Sequence, residues 1–195
     1  MRLLLMGPPG AGKGTQAATI AARFGIPAIS TGDIFRANVA QRTTLGVLTD
    51  TYMAAGEYVP DDVTNAMVAD RLSRPDCAHG FLLDGYPRTP QQVDELDALL
   101  GFASVGIDAV VLLEAETEEL VRRLLLRAQE QGRDDDTESV VRRRLDLYAA
   151  ETAPLAAEYA GRGLLASVDG LGSVDEVAER ILSALVAVSA ALENR

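Results

Sequence analysis

The stretch GPPGAGKGTQ, Gly7 to Gln16, sets the reading of this 195-residue chain. It follows an apolar run, RLLLM at 2–6, and opens a stretch of helical period from Lys13 to Phe24, so G-x-x-x-x-G-K stands in the strand-to-helix setting that gives the motif its meaning. Glycines let anion oxygens approach backbone N–H groups, and the start of a helix adds partial positive charge. The chain holds eighteen Lys and Arg residues, and the one Lys among them is Lys13. A slim stem bearing a compact point charge enters a ring of amides that the wide, planar Arg fork does not fit. Gly10, Ala11, Gly12, Lys13, Gly14 and Thr15 are therefore read as a cradle for nucleotide phosphates. A dinucleotide fingerprint would need G-x-G-x-x-G, which Gly10-Ala-Gly12-Lys-Gly14 does not supply.

In one respect the loop departs from the general pattern. The residue after Lys13 is Gly14, and the hydroxyl comes one place later, at Thr15, so the usual Mg²⁺-ligating side chain is missing from its place. A Mg²⁺ ion accompanying the nucleotide is then expected to be held by water and carboxylate, with Asp84 the first candidate and Asp33 the second.

Composition narrows the rest. With 48% apolar and 24% charged residues, the chain reads as one ordered domain able to bury roughly 70% of its unfolded surface. A net charge of -11 opposes nucleic acid and anionic lipid as partners, so any bound anion must meet a local cationic site. Cys77 is alone, which excludes an internal disulfide and a cysteine-rich zinc site. The N-terminal apolar run is too short for a signal peptide, and the C-terminal run ILSALVAVSAAL is better read as a core-packing helix than as a membrane anchor. A cytoplasmic monomer without membrane contact is the expectation.

Short apolar runs alternate with helical stretches: RLLLM, Pro27 to Ile29, FLLD at 81–84, AVVLLEA at 109–115 and LLASV at 164–168. This rhythm predicts an α/β fold with a parallel sheet covered on both faces. Thr89 before Pro90, Thr117 before Glu118 and Glu119, and Ser173 three residues ahead of Glu176 read as helix caps. Residues 30–60 and the polar stretch QEQGRDDD at 129–136 fall outside the rhythm.

Two further motifs join the first: STGDIFR at 30–36 and DGYPRT at 84–89, with Gln92 close behind. Arg36 and Arg88 can each fork onto a phosphate, and the Gln92 amide offers a donor and an acceptor to a base edge. Because an amide can flip, Gln92 alone would accept adenine or guanine. Together the three motifs resemble the adenylate kinase family of nucleoside monophosphate kinases over essentially the whole chain. That resemblance implies a P-loop three-layer fold with a five-stranded parallel sheet. It implies a core of residues 1–29, 60–126 and 138–195, a helical NMP-binding insert at 30–59 and a short lid at 127–137 without zinc. It implies transfer from Mg-ATP to AMP, giving two ADP. By the same resemblance Gly10 to Thr15, Arg127 and Gly172 look like ATP contacts. Thr31, Arg36, Glu57, Tyr58, Val59, Gly85, Tyr86, Pro87, Arg88 and Gln92 look like AMP contacts. The Thr of STGD resembles adenylate kinases rather than uridylate or cytidylate kinases.

Helical geometry adds the remaining arginines. From Glu118 onward, Leu120, Val121, Leu124, Leu125 and Ala128 form one apolar stripe; Arg123 and Arg127, four residues apart, lie along its edge, while Arg122 points away. In the next helix Val140, Val141, Leu145, Leu147 and Tyr148 define the stripe, and Arg144 falls inside its arc while Arg142 and Arg143 fall outside. An inward Arg requires an anionic or polar partner. The resemblance assigns Arg123 and Arg127 to ATP, and Arg133 and Arg144 to the reacting phosphates and AMP. Lys13, Arg88, Arg123, Arg133 and Arg144 form the expected charge-stabilising set, and the lone His79 reads as a loop residue. The alternative reading, a P-loop hydrolase or regulatory switch, lacks a guanine-specifying NKxD motif and leaves STGDIFR, DGYPRT and Gln92 without a role.

Overall fold

Runs of consecutive apolar residues, rather than alternating ones, mark strands buried on both faces. In the computed structural model, which describes residues 1–131 and 137–193, those runs become β1 (Arg2–Met6), β3 (Phe81–Asp84) and β4 (Ala109–Glu114), with β2 (Ala28–Ser30) and β5 (Leu165–Asp169) at the edges. All pair in parallel in the order β2-β3-β1-β4-β5. Side chains Leu3–Met6 of β1 and 81–84 of β3 are buried throughout.

Helices cover both faces. On one face α1 (Lys13–Phe24) and α9 (Val174–Glu193) lay Ala17, Ile20, Val177, Ile181 and Leu185 against Leu3, Leu5, Val111 and Leu113, joined by Leu120 of α6 (Thr117–Gln131). On the other, α4 (Asp61–Leu72), α5 (Pro90–Phe102) and α8 (Leu155–Gly161) pack Val68, Val93, Leu96, Leu155 and Tyr159 on Leu4, Met6, Leu83 and Val110. Between β2 and α4 lie α2 (Thr31–Ala40) and α3 (Thr44–Ala55), capped by Ser30 and Thr43, whose hydroxyls accept from the amides of Asp33 and Gly46. A small separate cluster of Val121, Leu124 and Val141 joins α6 to α7 (Glu138–Leu147).

The five-stranded parallel sheet flanked by helices is the fold class expected from the sequence, with local corrections. Thr117 is the first residue inside α6 rather than its cap, since the Leu120 amide donates to the Glu116 carbonyl. β2 begins one residue later than expected and β5 ends at Asp169, because strand ends follow their pairing partners rather than hydropathy. The run ILSALVAVSAAL lies within α9, where Ile181 and Leu185 are buried, and among the described residues no helix is long and apolar enough to cross a membrane.

β1 has β3 on one side and β4 on the other; the crossover leaving β1 runs to β2 on the β3 side, and the one leaving β3 runs the opposite way to β4. Such a switch point opens a crevice at the carboxyl ends of the strands. The loops leaving β1 and β3 both end there.

Candidate active site

The loop from β1 to α1 turns tightly, with the Ala11 amide donating to the Pro8 carbonyl at 3.2 Å. Gly10 has φ +86, and a Cβ there would stand 2.9 Å from the Leu120 carbonyl of α6, so both conformation and packing require glycine. At the cap of α1 sits Gly12, which offers no side-chain acceptor to the first amides of the helix. Those donors and the helix dipole are oriented toward an incoming anion. The Lys13 ammonium arches back over the loop and donates to the carbonyls of Gly7 at 2.8 Å and Pro8 at 2.9 Å. Burial pulls its pKa down to about 8; Asp84 opposes that shift, and Arg88 and Arg127 add to it.

Asp84 ends β3, is 8% exposed, and faces the first turn of α1, with Oδ2 3.8 Å from the position a Cβ on Gly14 would occupy. Burial pushes its carboxyl up from the ordinary range, while Lys13 and Arg88 pull it down. Next, Gly85 takes φ +81; a Cβ there would stand 2.8 Å from Thr31 Oγ1 and 2.9 Å from Arg88 Nη2. Its carbonyl accepts from Thr31 Oγ1 at 2.9 Å and Arg88 Nε at 2.7 Å, so one glycine gathers two expected site residues.

Arg88 is held from several directions. Its guanidinium lies 5.0 Å from the centroid of the Tyr58 ring, and its own carbonyl accepts from Thr152 Oγ1 at 2.9 Å. Thr152 in turn bonds the Tyr58 hydroxyl at 2.8 Å. Burial lowers the Arg88 pKa from its ordinary value, Tyr58 and Asp84 raise it, and Arg144 and Arg36 lower it. Several cations therefore converge on one region, an arrangement that favours a multiply charged anion.

The expected residues that are described line one cleft of about 1070 Å³. Gly10 to Thr15 and Gly172 line it, as do Thr31, Asp33, Arg36, Glu57 to Val59, Asp84 to Arg88, Gln92, Arg123, Arg127 and Arg144. Arg123 bonds Glu119 at 2.7 Å and the Gly170 carbonyl at 3.2 Å, and Arg144 Nη2 donates to the Met53 carbonyl at 3.2 Å. Arg122 is exposed and pairs with Glu119, whose carboxyl the two arginines hold down at about 2. Arg142 pairs with Glu138 within its own helix. Arg133 and Gly132 lie outside the described residues.

Three placements differ from expectation. Asp33 is exposed and bonded to Arg36, so the carboxylate considered for metal and the guanidinium considered for phosphate hold each other. Gln92 is 1% exposed, and both ends of its amide are already bonded within the protein. Arg143, read as merely solvated, reaches Glu57 Oε1 at 2.8 Å while half exposed, so the Glu57 side chain turns to α7. Sequence reasoning missed Thr152 and Asp61 altogether. Thr152 lies in the π-helical turn Tyr148–Thr152 that continues α7, and such turns recur at functional sites, but nothing in the local sequence marks one.

A glycine-rich loop from the central strand to a helix, at the switch point of a parallel sheet, defines a P-loop-type nucleotide-binding protein. A family profile described as adenylate kinase matches residues 5–164. The chain is 61% identical over 184 residues to an adenylate kinase of Kocuria rhizophila (94% of this chain, 98% of the relative). It is 62% identical over 185 residues to one of a Nocardioides species (95% and 97%), and 58% identical over 190 residues to one of Renibacterium salmoninarum (97% and 98%). The chain belongs to the adenylate kinase family.

Proposed function

We propose that the protein catalyses reversible phosphoryl transfer from Mg-ATP to AMP, giving two ADP. One observation carries the reading: the phosphate loop lines the same cleft as Thr31, Arg36, the turn from Gly85 to Arg88, and Gln92. A hydrolase needs one phosphate site and a positioned water; this cleft offers cations for two phosphate chains.

Phosphoryl transfer spreads negative charge over the moving group, so catalysis consists of alignment and charge stabilisation. In this reading the loop amides and Lys13 hold the ATP phosphates, with Arg123 and Arg127 beside them and Gly172 at the nucleotide's edge. Thr31, Arg36, Arg88 and the segments 57–59 and 85–87 hold AMP, with Gln92 at its base. Arg88, Arg144 and Arg133 meet the reacting phosphates. AMP's phosphate is itself the nucleophile, so no general base is called for.

Among the described residues no three His, Cys, Asp or Glu side chains gather to hold a metal ion. A Mg²⁺ brought by ATP fits the buried Asp84 carboxylate through water, and would supply charge neutralisation to the phosphates. Asp33, committed to Arg36, fits that part less well.

We assign residues 30–59 to an insert that closes over the nucleotides and excludes water, with Gly32 and Gly56 as hinges, while the expected short lid at 127–137 lies in part outside the described residues. Gly56 ends α3 with φ +72, and Gly32 lies in the first turn of α2. A monomer in the cytoplasm is the expected setting, testable by sedimentation and fractionation.

The test is ADP formation with Mg-ATP and AMP, beside UMP, CMP, GMP and no acceptor. Two ADP per AMP, with little turnover on the others, is expected. Slow ADP release independent of any monophosphate would refute the reading.

A further inference from the structure

Gln92 sits in the first turn of α5, lining the cleft yet almost fully buried. Its Oε1 accepts from the Arg88 backbone N–H at 2.8 Å, and its Nε2 donates to Asp61 Oδ1 at 2.6 Å. Asp61, the first residue of α4, is fixed in turn: its Oδ2 accepts from Thr89 Oγ1 at 2.7 Å. Thr89 caps α5 by accepting from the Gln92 backbone N–H. A closed ring of bonds thus joins the starts of two helices around one carboxamide.

That ring has a polarity. Turned by 180°, the Gln92 carbonyl would face the Asp61 carboxylate and its NH₂ would face the Arg88 N–H, replacing two bonds by two repulsions in a buried place. The freedom to flip, which left the base open in the sequence, is removed. A carboxamide has two N–H donors and two acceptor lone pairs. One of each is spent on Asp61 and Arg88, which leaves one N–H and one lone pair in a fixed left-right order. A 6-aminopurine carries a donor at position 6, where a 6-oxopurine carries an acceptor. With the amide locked, only one of the two orders is met without an unpaired group.

We propose that Asp61 is a specificity-determining positioning residue: by fixing the Gln92 amide it makes the monophosphate site select a 6-aminopurine over a 6-oxopurine. This rests on the assignment of Gln92 to the base of AMP. Asp61 does not touch the nucleotide; it acts through Gln92. Asp61→Asn preserves shape but offers either a carbonyl or an NH₂ to Gln92, so both amide orientations find a partner on that side and only the Arg88 backbone N–H still opposes the flip.

The experiment compares kcat/KM for AMP and for GMP in wild type, Asp61→Asn, and Asp62→Asn, the exposed neighbour on the same helix turn. The ratio from one preparation cancels the active fraction, so partial unfolding of a variant does not blur it. The expected result is a fall of at least about tenfold in the AMP:GMP ratio for Asp61→Asn, with Asp62→Asn unchanged. A discriminating wild type whose ratio survives Asp61→Asn, with both substrates losing in proportion, overturns the inference alone and makes Asp61 a purely structural joint. A wild type that transfers no better to AMP than to GMP overturns the proposed function first, and the inference with it.

Discussion

Lys13 carries the sharpest consequence of a single side chain. Asp84, Arg88 and Arg127 face it, and burial draws its pKa from 10.5 to about 8, so the ammonium is half deprotonated near that pH and loses the rest of its proton above it. In that window the unfolded chain holds the proton and the ligand-free fold does not, so this residue's contribution to stability improves as pH rises from about 8 to 10.5. Phosphate favours the charged form and reverses the shift, so nucleotide binding must take up a proton. Calorimetry in buffers of different ionisation enthalpy should record uptake of roughly half a proton near pH 8, growing at pH 8.5. Uptake that did not grow above pH 7 would contradict this. For Arg88, which joins the Gly85 carbonyl, the Tyr58 ring and the converging cations, Arg88→Ala should lower kcat by about 10³. Steady-state rates check this, and Arg88→Lys should not restore the loss, because a point charge replaces a fork. Lys13 was legible because its type is unique in the chain and its motif is contiguous. The partners of Gln92 were not: Asp61 is 31 residues away, and a contact made by folding leaves no mark in the spacing.

Elements were legible in proportion to how local their causes are. The bounds of α1 and of β1 were readable in full, since a glycine loop and a run of apolar residues set both within one stretch. Edges that depend on pairing, in β2 and β5, moved by a residue. Least legible was the π-helical turn after α7, where Thr152 bridges the Tyr58 hydroxyl and the Arg88 carbonyl. Thr152 is 5% exposed, so Thr152→Val would leave both partners short of a bond in a nearly dry place. The expected cost is about 1–3 kcal/mol of stability, read by thermal or urea unfolding, with a fall in kcat of about tenfold as Arg88 loosens. An unchanged kcat beside a lowered melting point would limit this turn to holding the fold. By contrast the Arg143–Glu57 bridge, half exposed on one side, belongs to the class of ion pairs that contribute little.

At the scale of the whole molecule, a net charge of -11 surrounds a cleft lined by Lys13, Arg36, Arg88, Arg123, Arg127 and Arg144. Arg36 and Arg123 are already bonded to Asp33 and Glu119, so the cleft is a region of balanced rather than bare charge, and the proposed closure is expected when both nucleotides bring their phosphates to it. Small-angle scattering should show a smaller radius of gyration with ATP and AMP analogues together than with either alone. Equal radii in all states would remove closure from the mechanism. The three-layer plan was legible from the alternation of apolar runs and helical stretches, whereas the cleft's lining was legible only through the family resemblance, because it is bounded by loops that meet only in three dimensions. One feature of that plan reaches back to synthesis. β1 is the middle strand of the sheet, and both its neighbours are made well after it, at 81–84 and 109–114. Gly7, moreover, packs against Leu113, so close that a Cβ would fall 2.6 Å from its carbonyl. A chain emerging from the ribosome therefore carries the whole phosphate motif long before it can shape it, and acquires its anion site only once β4 has come out to stand beside β1.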